Sequence, residues 1–266
     1  MHTSTTAIRR IATQAFCATA LAATLAACGG GGGGGDASPA ASAPPAANQG
    51  AYAGTTSNPS APTFNLLVLE DGSIWSVYGI ESGGAFQVSG FLQGQGSFSN
   101  GQVTASDVRD YNRGTSVSGQ LSGSYTAAPS ITGQVAYASG TVSFSGGAIP
   151  SSTYVYNTPA QISDVSGNWS LGLSTGETAN ITISNTGEVG GVSSLGCRFT
   201  GSVTPRPSGK NVFNVTLVFG ASPCALPGQT ATGVGVSYPL ASGLRQLIVL
   251  GQDSSRGKGV AAFGQR

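Results

Sequence analysis

The densest group of charged and reactive side chains in this 266-residue chain is Asp107-Val108-Arg109-Asp110-Tyr111-Asn112-Arg113. Asp107 and Asp110 bring carboxylates, Arg109 and Arg113 bring guanidinium groups, and Tyr111 brings a ring with a polar tip. Such a mixture suits recognition of a partner, or a surface loop whose local ion pairs contribute little. The run reads as a passage from strand into loop. Asp107, Arg109, Asp110, Tyr111 and Arg113 are therefore the candidate partner-binding residues. Glycoside hydrolysis needs only two carboxylates, so Glu70 with Asp71, Glu81, Asp164, Glu177, Glu188 and Asp253 are further candidates. Most of them fall at expected turns, where carboxylates are ordinarily solvated. Ser255-Arg256-Gly257-Lys258 has the Ser-x-x-Lys spacing of serine–lysine acyl transfer. That chemistry needs both side chains on one helix face, and Gly257 sits in a polar stretch between strands. The companion Ser-Asp-Asn and Lys-Thr-Gly motifs are missing.

Before this body comes a start with a different texture. Arg9 and Arg10 precede Ile11–Ala27, a mostly apolar stretch that is short and rich in Ala and Thr for a membrane span. It fits the apolar region of a secretory leader closing in small residues. Leu25-Ala26-Ala27-Cys28 then resembles the lipobox of bacterial lipoproteins. The resemblance implies that Cys28 is diacylglycerated, that residues 1–27 are removed and that the new N-terminus is acylated. Three acyl chains meet the requirement that stable anchoring takes more than one. Gly29 stands where an aspartate often retains such proteins at the inner membrane, which implies sorting to the outer membrane, on either of its faces. The alternative is an ordinary secretory signal with an incidental cysteine.

Gly29–Gly35 is an unbroken glycine run, and Ala, Ser, Pro and Asn dominate the stretch after it. Such composition buries too little apolar surface to offset the entropy of ordering. Residues 28–49 therefore read as a lipidated, disordered tether. No strand precedes the glycine run and no Lys-Ser/Thr ends it, which argues against a phosphate-binding loop.

Removal of the leader takes His2, the sole histidine, with it. Ser-His-Asp and Cys-His catalysis then have no base. Arg9 and Arg10 go too, leaving nine basic side chains against ten acidic ones, with Lys210 and Lys258 the only lysines. Arg198, Arg206 and Lys210 form the nearest basic cluster, read as solvated charges, so no nucleic-acid partner is expected. With Cys28 lipidated and Cys17 lost, Cys197 and Cys224 remain as an even pair in an oxidising compartment and read as a disulfide. Closing a span of about 28 residues would contribute roughly 3–4 kcal/mol in the chain-entropy model. The competing metal site lacks further ligands, and no metal or cofactor is expected.

From about Ala51 onward, short alternating runs are separated by Gly, Ser, Asn and Asp. Only 8% of residues are charged, too few for solvent-facing helices. Glu70-Asp71-Gly72, Ser99-Asn100-Gly101 and Asn185-Thr186-Gly187 are hairpin turns. Ser116–Tyr125 alternates most clearly, whereas Ile74-Trp75 breaks the pattern of its own strand. Trp75 and Trp169 are expected in a core, and Tyr154 with Tyr156 over a barrel end. Gly50-Ala51-Tyr52-Ala53-Gly54 is echoed by Gly167-Asn168-Trp169-Ser170-Leu171-Gly172, as in an old duplication. The expectation is an all-β chain of two consecutive small antiparallel meander barrels of about eight strands each, spanning 50–157 and 158–266. Closure removes exposed edges.

This texture is similar to the calycin-like barrels of transferrin-binding and complement-factor-H-binding surface lipoproteins, although none of their ligand motifs is matched. Gly196-Cys197-Arg198-Phe199-Thr200-Gly201, followed by Asn211-Val212-Phe213 and Cys224, resembles a recurring segment of uncharacterised bacterial lipoproteins. A membrane-spanning barrel is the rival architecture, but it needs longer strands with an apolar outer band.

The functional expectation is a non-catalytic, lipid-anchored envelope protein whose barrels present loops to a protein or small-molecule partner, or pack against one another. A small apolar ligand held in a barrel interior is the alternative, and a carboxylate-dependent hydrolase is a third reading. The anchor is testable directly. A palmitate analogue should label the intact protein and fail to label Cys28→Ser, and labelling that persists in the variant would dismiss the lipobox.

Overall fold

The computed structural model describes residues 48–126 and 130–266, so the leader, Cys28 and most of the tether lie outside the described residues. The first barrel is built from β1 (Gly50–Thr56), β2 (Thr63–Val68), β3 (Ser73–Ser82), β4 (Ala85–Gln95), β5 (Ser97–Ser99), β6 (Gln102–Asn112), β7 (Thr115–Tyr125), β8 (Ser130–Tyr137) and β9 (Gly140–Ala148). Strands adjacent in sequence pair antiparallel except β4 and β5, and β9 returns to β1 while β4 pairs with β6 to close the ring. The short β5 forms a hairpin with the start of β6, while the far end of β6 pairs with β4.

The second barrel repeats the meander with β10 (Gly167–Leu173), β11 (Thr178–Ile183), β12 (Glu188–Ser193), β13 (Arg198–Pro205), β14 (Phe213–Phe219), β15 (Thr230–Pro239), β16 (Arg245–Asp253) and β17 (Gly259–Gln265). It closes through β10 and β17, paired at Gly172↔Phe263 and Leu173↔Ala262. A single 3₁₀ turn, Ile162–Asp164, lies between the two rings. The all-β, two-barrel expectation therefore holds.

Period-two alternation explains most of the interior. In β11 the inward Ala179, Ile181 and Ile183 are buried and the intervening residues are exposed. The interior of the second barrel is plugged at both ends. Ala160 and Val165 cover one end, with Trp169 Nε1 donating to the Val165 carbonyl at 2.7 Å. Leu226 and the Cys197–Cys224 disulfide, with Cα atoms 4.5 Å apart, cover the other.

Several strands depart from alternation, β3 and β16 over the longest runs. Ser73–Val77 of β3 and Gln246–Gly251 of β16 are buried on both faces. The cause is a third core, outside either ring. Trp75, Val77, Phe86 and Phe91 on the outer face of the first barrel pack against Val234, Tyr238, Ile248 and Leu250 on the outer face of the second. Ile74 points into its barrel and Trp75 out into this seam, which is why the pair breaks the pattern in sequence. Tyr154 and Tyr156 lie in the seam rather than over a barrel end, and the Tyr156 hydroxyl donates to Val68 O at 3.2 Å. Trp75, Phe91 and Tyr111 stack in series across β3, β4 and β6, the latter two with ring centroids 4.5 Å apart. Gly259 of β17 meets this stack. A Cβ there would come within 2.6 Å of both Phe91 and Tyr111, so only glycine lets the strand approach.

Several polar groups at the seam find partners across it. Gln246 is 1% exposed, and its side-chain amide accepts from Phe86 N at 2.8 Å and donates to Phe86 O at 2.6 Å, as another peptide group would. The Tyr238 hydroxyl donates to the same Gln246 oxygen at 3.1 Å. Arg206 bridges to Glu70 at 2.6 Å and Asp71 at 2.7 Å, and Arg256 reaches Asp107 at 2.5 Å. Arg206 is thus a clamp between barrels, not the solvated charge its sequence context implies. Gln246→Leu keeps the volume but strands the Phe86 N–H and C=O in an apolar seam. The expected loss is on the order of 2–4 kcal/mol by urea denaturation. A loss below about 0.5 kcal/mol, the range of a neutral surface change, would show the amide pair to be dispensable.

Candidate ligand-binding site

The first barrel is not plugged as the second is. A half-open pocket of about 190 Å³ enters it from the mouth bordered by Asn58 and Ala61 before β2 and by Val117 and Val142 near the starts of β7 and β9. Its walls are apolar, with Phe64, Leu66, Ile74, Leu92, Leu121 and Phe144 prominent. At the disulfide end of the second barrel the remaining space is about 30 Å³. For scale, an engineered apolar cavity of ~150 Å³ takes one benzene ring.

One ionisable acid faces the pocket. The register between β6 and β7 shifts between Ala105 and Val108, and beyond this bulge Val108 and Asp110 line the pocket. Asp110 receives a hydrogen bond from each of two tyrosines, Tyr78 Oη to Oδ1 at 2.6 Å and Tyr137 Oη to Oδ2 at 2.7 Å. These short distances are those of hydroxyls donating to an ionised carboxylate. Burial nevertheless pushes the Asp110 carboxyl above its usual range, against the lowering effect of the two hydroxyls. Burial and the neighbouring acid also raise both phenols, so they remain protonated donors. Among the described residues no ion pair involves Asp110, and it is the only charged side chain lining the pocket.

Two glycines make room for this triad. A Cβ on Gly90 would lie 2.2 Å from Tyr78 Oη, and one on Gly119 would lie 3.0 Å from the Tyr137 ring. A separate apolar cleft of about 220 Å³ runs between the barrels, bounded by Trp75, Val77, Tyr154, Tyr238, Ile248 and Leu250, with Glu81 at its edge.

The segment singled out in sequence is thus divided by the strand it forms. Asp107–Asn112 belongs to β6 and is not a passage into a loop. Asp110 points into the barrel. Tyr111 points outward, has no exposed surface, and its hydroxyl lies 2.6 Å from Gln252 Oε1 of the second barrel. Asp107 pairs with Arg109 at 3.1 Å and with Arg256. Arg109 also donates to Ser118 Oγ at 2.6 Å. Arg113 alone is in a turn, exposed, with φ of 53°. Of the segment's side chains, Asp107 and Tyr111 reach across to the second barrel, Arg109 stays within the first and Asp110 faces the pocket.

Ser255 and Lys258 do not assemble. Ser255 Oγ donates to Asp253, whereas Lys258 Nζ reaches the Ala225 carbonyl at 3.3 Å. Tyr78 and Tyr137 were missed in sequence, being 32 and 27 residues from the acid they serve.

No family model matches the sequence, and no curated protein matches it. Solved structures with a similar chain path include a Bacteroides fragilis protein provisionally assigned to the outer membrane, 14% identical, covering 82% of this chain and 96% of that one with a TM-score of 0.25. Transferrin binding protein B of Haemophilus parasuis is 9% identical, covering 79% and 67%, with a TM-score of 0.27. Its counterpart from Neisseria meningitidis is 11% identical, covering 77% and 65%, with a TM-score of 0.25. Superpositions this loose carry no functional argument.

The buried acid has a stability signature. Because its folded-state pKa is raised, Asp110 favours folding in acid, below its unfolded pKa, and that contribution is lost as pH rises through the folded value. Asp110→Asn removes the charge and keeps an acceptor for one tyrosine and a donor for the other. Its melting temperature should exceed that of the unaltered protein at neutral pH, and the difference should shrink towards about pH 3.5. A variant that melts lower at neutral pH, or by the same margin throughout, would contradict burial as the dominant influence.

Proposed function

We propose that this protein is a non-catalytic, lipid-anchored component of the bacterial outer membrane that binds a small, mainly apolar molecule inside its first barrel. In this reading residues 1–27 are the leader, Cys28 carries the lipid, residues 28–49 are the tether, and 50–157 and 158–266 are the two barrel units.

The observation that carries the binding assignment is the contrast between two similar rings. The second is sealed at one end by Val165 and at the other by Leu226 and a disulfide. The first keeps an apolar pocket of about 190 Å³ open at one mouth. Leaving apolar wall unpacked forfeits dispersion and burial, so a pocket with one polar triad is a costly feature unless something occupies it. The candidate loop for a protein partner is largely consumed by contacts within the chain, which moves the weight from loops to the barrel interior.

The test uses 2-phenylethanol, a neutral ring of suitable size, with chemical-shift perturbation on the tethered domain. Saturable shifts are expected for residues around Leu121 and Val135. Val117 is 54% exposed at the mouth, so Val117→Trp should block entry without crowding the core. Binding that survives this plug, or no binding by the unaltered protein, would remove the assignment.

A further inference from the structure

Given the barrel-interior reading, we infer that the ligand is an organic cation: an apolar body of about one ring carrying a protonated or quaternary amine that seats against Asp110 and the aromatic rings beside it. Three observations on the same pocket lead there.

The first is uncompensated charge. Asp110 lines the pocket with no cationic side chain in it. A carboxylate withdrawn from water needs an opposite charge or full hydrogen bonding. Two hydroxyls at 2.6 and 2.7 Å satisfy two of its acceptor positions. A carboxylate has about four lone-pair sites, so acceptor capacity remains for a ligand.

The second is the surround. Phe64, Phe144, Tyr78 and Tyr137 all line the pocket, and the Phe64 and Phe144 ring centroids are 5.7 Å apart in an edge-on arrangement. Aromatic faces around an anion attract a desolvated cation twice over, through the carboxylate and through the ring quadrupoles.

The third is what the arrangement rejects. A fatty acid entering head first would bring its carboxylate against Asp110, with no basic group in the lining to receive it. The groups facing Asp110 are Tyr78 from β3, Tyr137 from β8 and Asn112 from its own strand, while Leu92 on β4 and Val117 on β7 are its register partners. None of these offers a positive charge. Anion binding, the common use of a barrel with a basic residue inside, is therefore opposed here, and a neutral polar ligand leaves the charge uncompensated.

The experiment compares three probes of one shape on the unaltered protein by isothermal titration at neutral pH: 2-phenylethylamine as its ammonium form, 2-phenylethanol and phenylacetate. The ammonium is expected to bind about tenfold more tightly than the alcohol, as for a desolvated ion pair with aromatic contacts, and phenylacetate more weakly than either. Asp110→Asn should erase the difference between ammonium and alcohol, while Asp110→Glu, which keeps the charge, should retain part of it. The comparison on the unaltered protein decides the matter even if a variant folds poorly. Equal binding of alcohol and ammonium would overturn the cation inference and leave the pocket assignment standing. Tighter binding of phenylacetate would overturn it as well. Failure of all three probes to bind would overturn both.

Discussion

Burial of one outer face of each barrel against the other is the constraint on which the remaining features depend. A closed β-barrel ordinarily hides only its inward residues and leaves the alternate set in water. Here Trp75, Phe91 and Tyr111 face outward from the first ring, and Ile248 and Leu250 face outward from the second, yet all five are buried together. Such residues would form an exposed apolar patch on a lone barrel, a liability in a chain with few charges to keep it soluble. Once the seam forms, every backbone or polar group trapped in it needs a partner. That requirement accounts for the Gln246 amide mimicking a peptide opposite Phe86, and for Tyr111 aiming its hydroxyl at Gln252. At the periphery, where water still reaches, Arg206 and Arg256 serve the same junction with charge.

The same constraint separates what was legible in the sequence from what was not. Alternation, turn residues and the scarcity of charge were enough to place the strands of both rings apart from the short β5, because those features depend on neighbours a few positions away. Ser116–Tyr125, all but the first residue of β7, emerges from local pattern alone. Ile74-Trp75 looked irregular because its explanation, a second layer outside the ring, is not a local property. Asp107–Arg113 looked like a loop because charge density ordinarily marks exposure. Its first acid, Asp107, is instead matched by Arg256, 149 residues further on, a partner that only the docking of two barrels supplies. The Asp110 site was hidden for a related reason. Its acid was noticed, but the two tyrosines that define its chemistry come from β3 and β8, on strands that closure of the ring brings near β6.

The two rings also differ in how they use the interior that closure creates. Eight strands enclose a space that side chains can just fill or that one small ligand can share. In the second ring the fill is complete enough to serve as a foundation, with Trp169, Phe213 and Leu247 packed inside and plugs at both ends. In the first ring Gly90, Gly94 and Gly119 stand on strands bordering the pocket, and two of these openings are taken up by Tyr78 and Tyr137 rather than by aliphatic bulk. Replacing aliphatic packing by tyrosines that converge on a carboxylate lowers stability relative to a dry core, since a buried acid is costly even when hydrogen-bonded. Folding alone does not call for that arrangement.

A single strand carries this difference between foundation and site. On β6, Asp110 and Tyr111 are adjacent and therefore point to opposite faces, one into the pocket and the other into the seam. Tyr111 is held by the ring of Phe91 on one side and by Gln252 and Gly259 of the second barrel on the other. Whatever fixes the Tyr111 side chain fixes the backbone on which Asp110 sits, because neighbouring residues in a strand share a peptide plane and the ladder to β4 and β7 resists slippage. The second barrel, with Trp169, Phe213 and Leu247 packed inside it, thereby acts on the first from outside. It holds the carboxylate in register with the two hydroxyls that orient it. A binding group held on a rigid element by packing behind it recognises a ligand at lower entropic cost than one on a mobile loop, and this gives a structural reason for a filled barrel to accompany a hollow one.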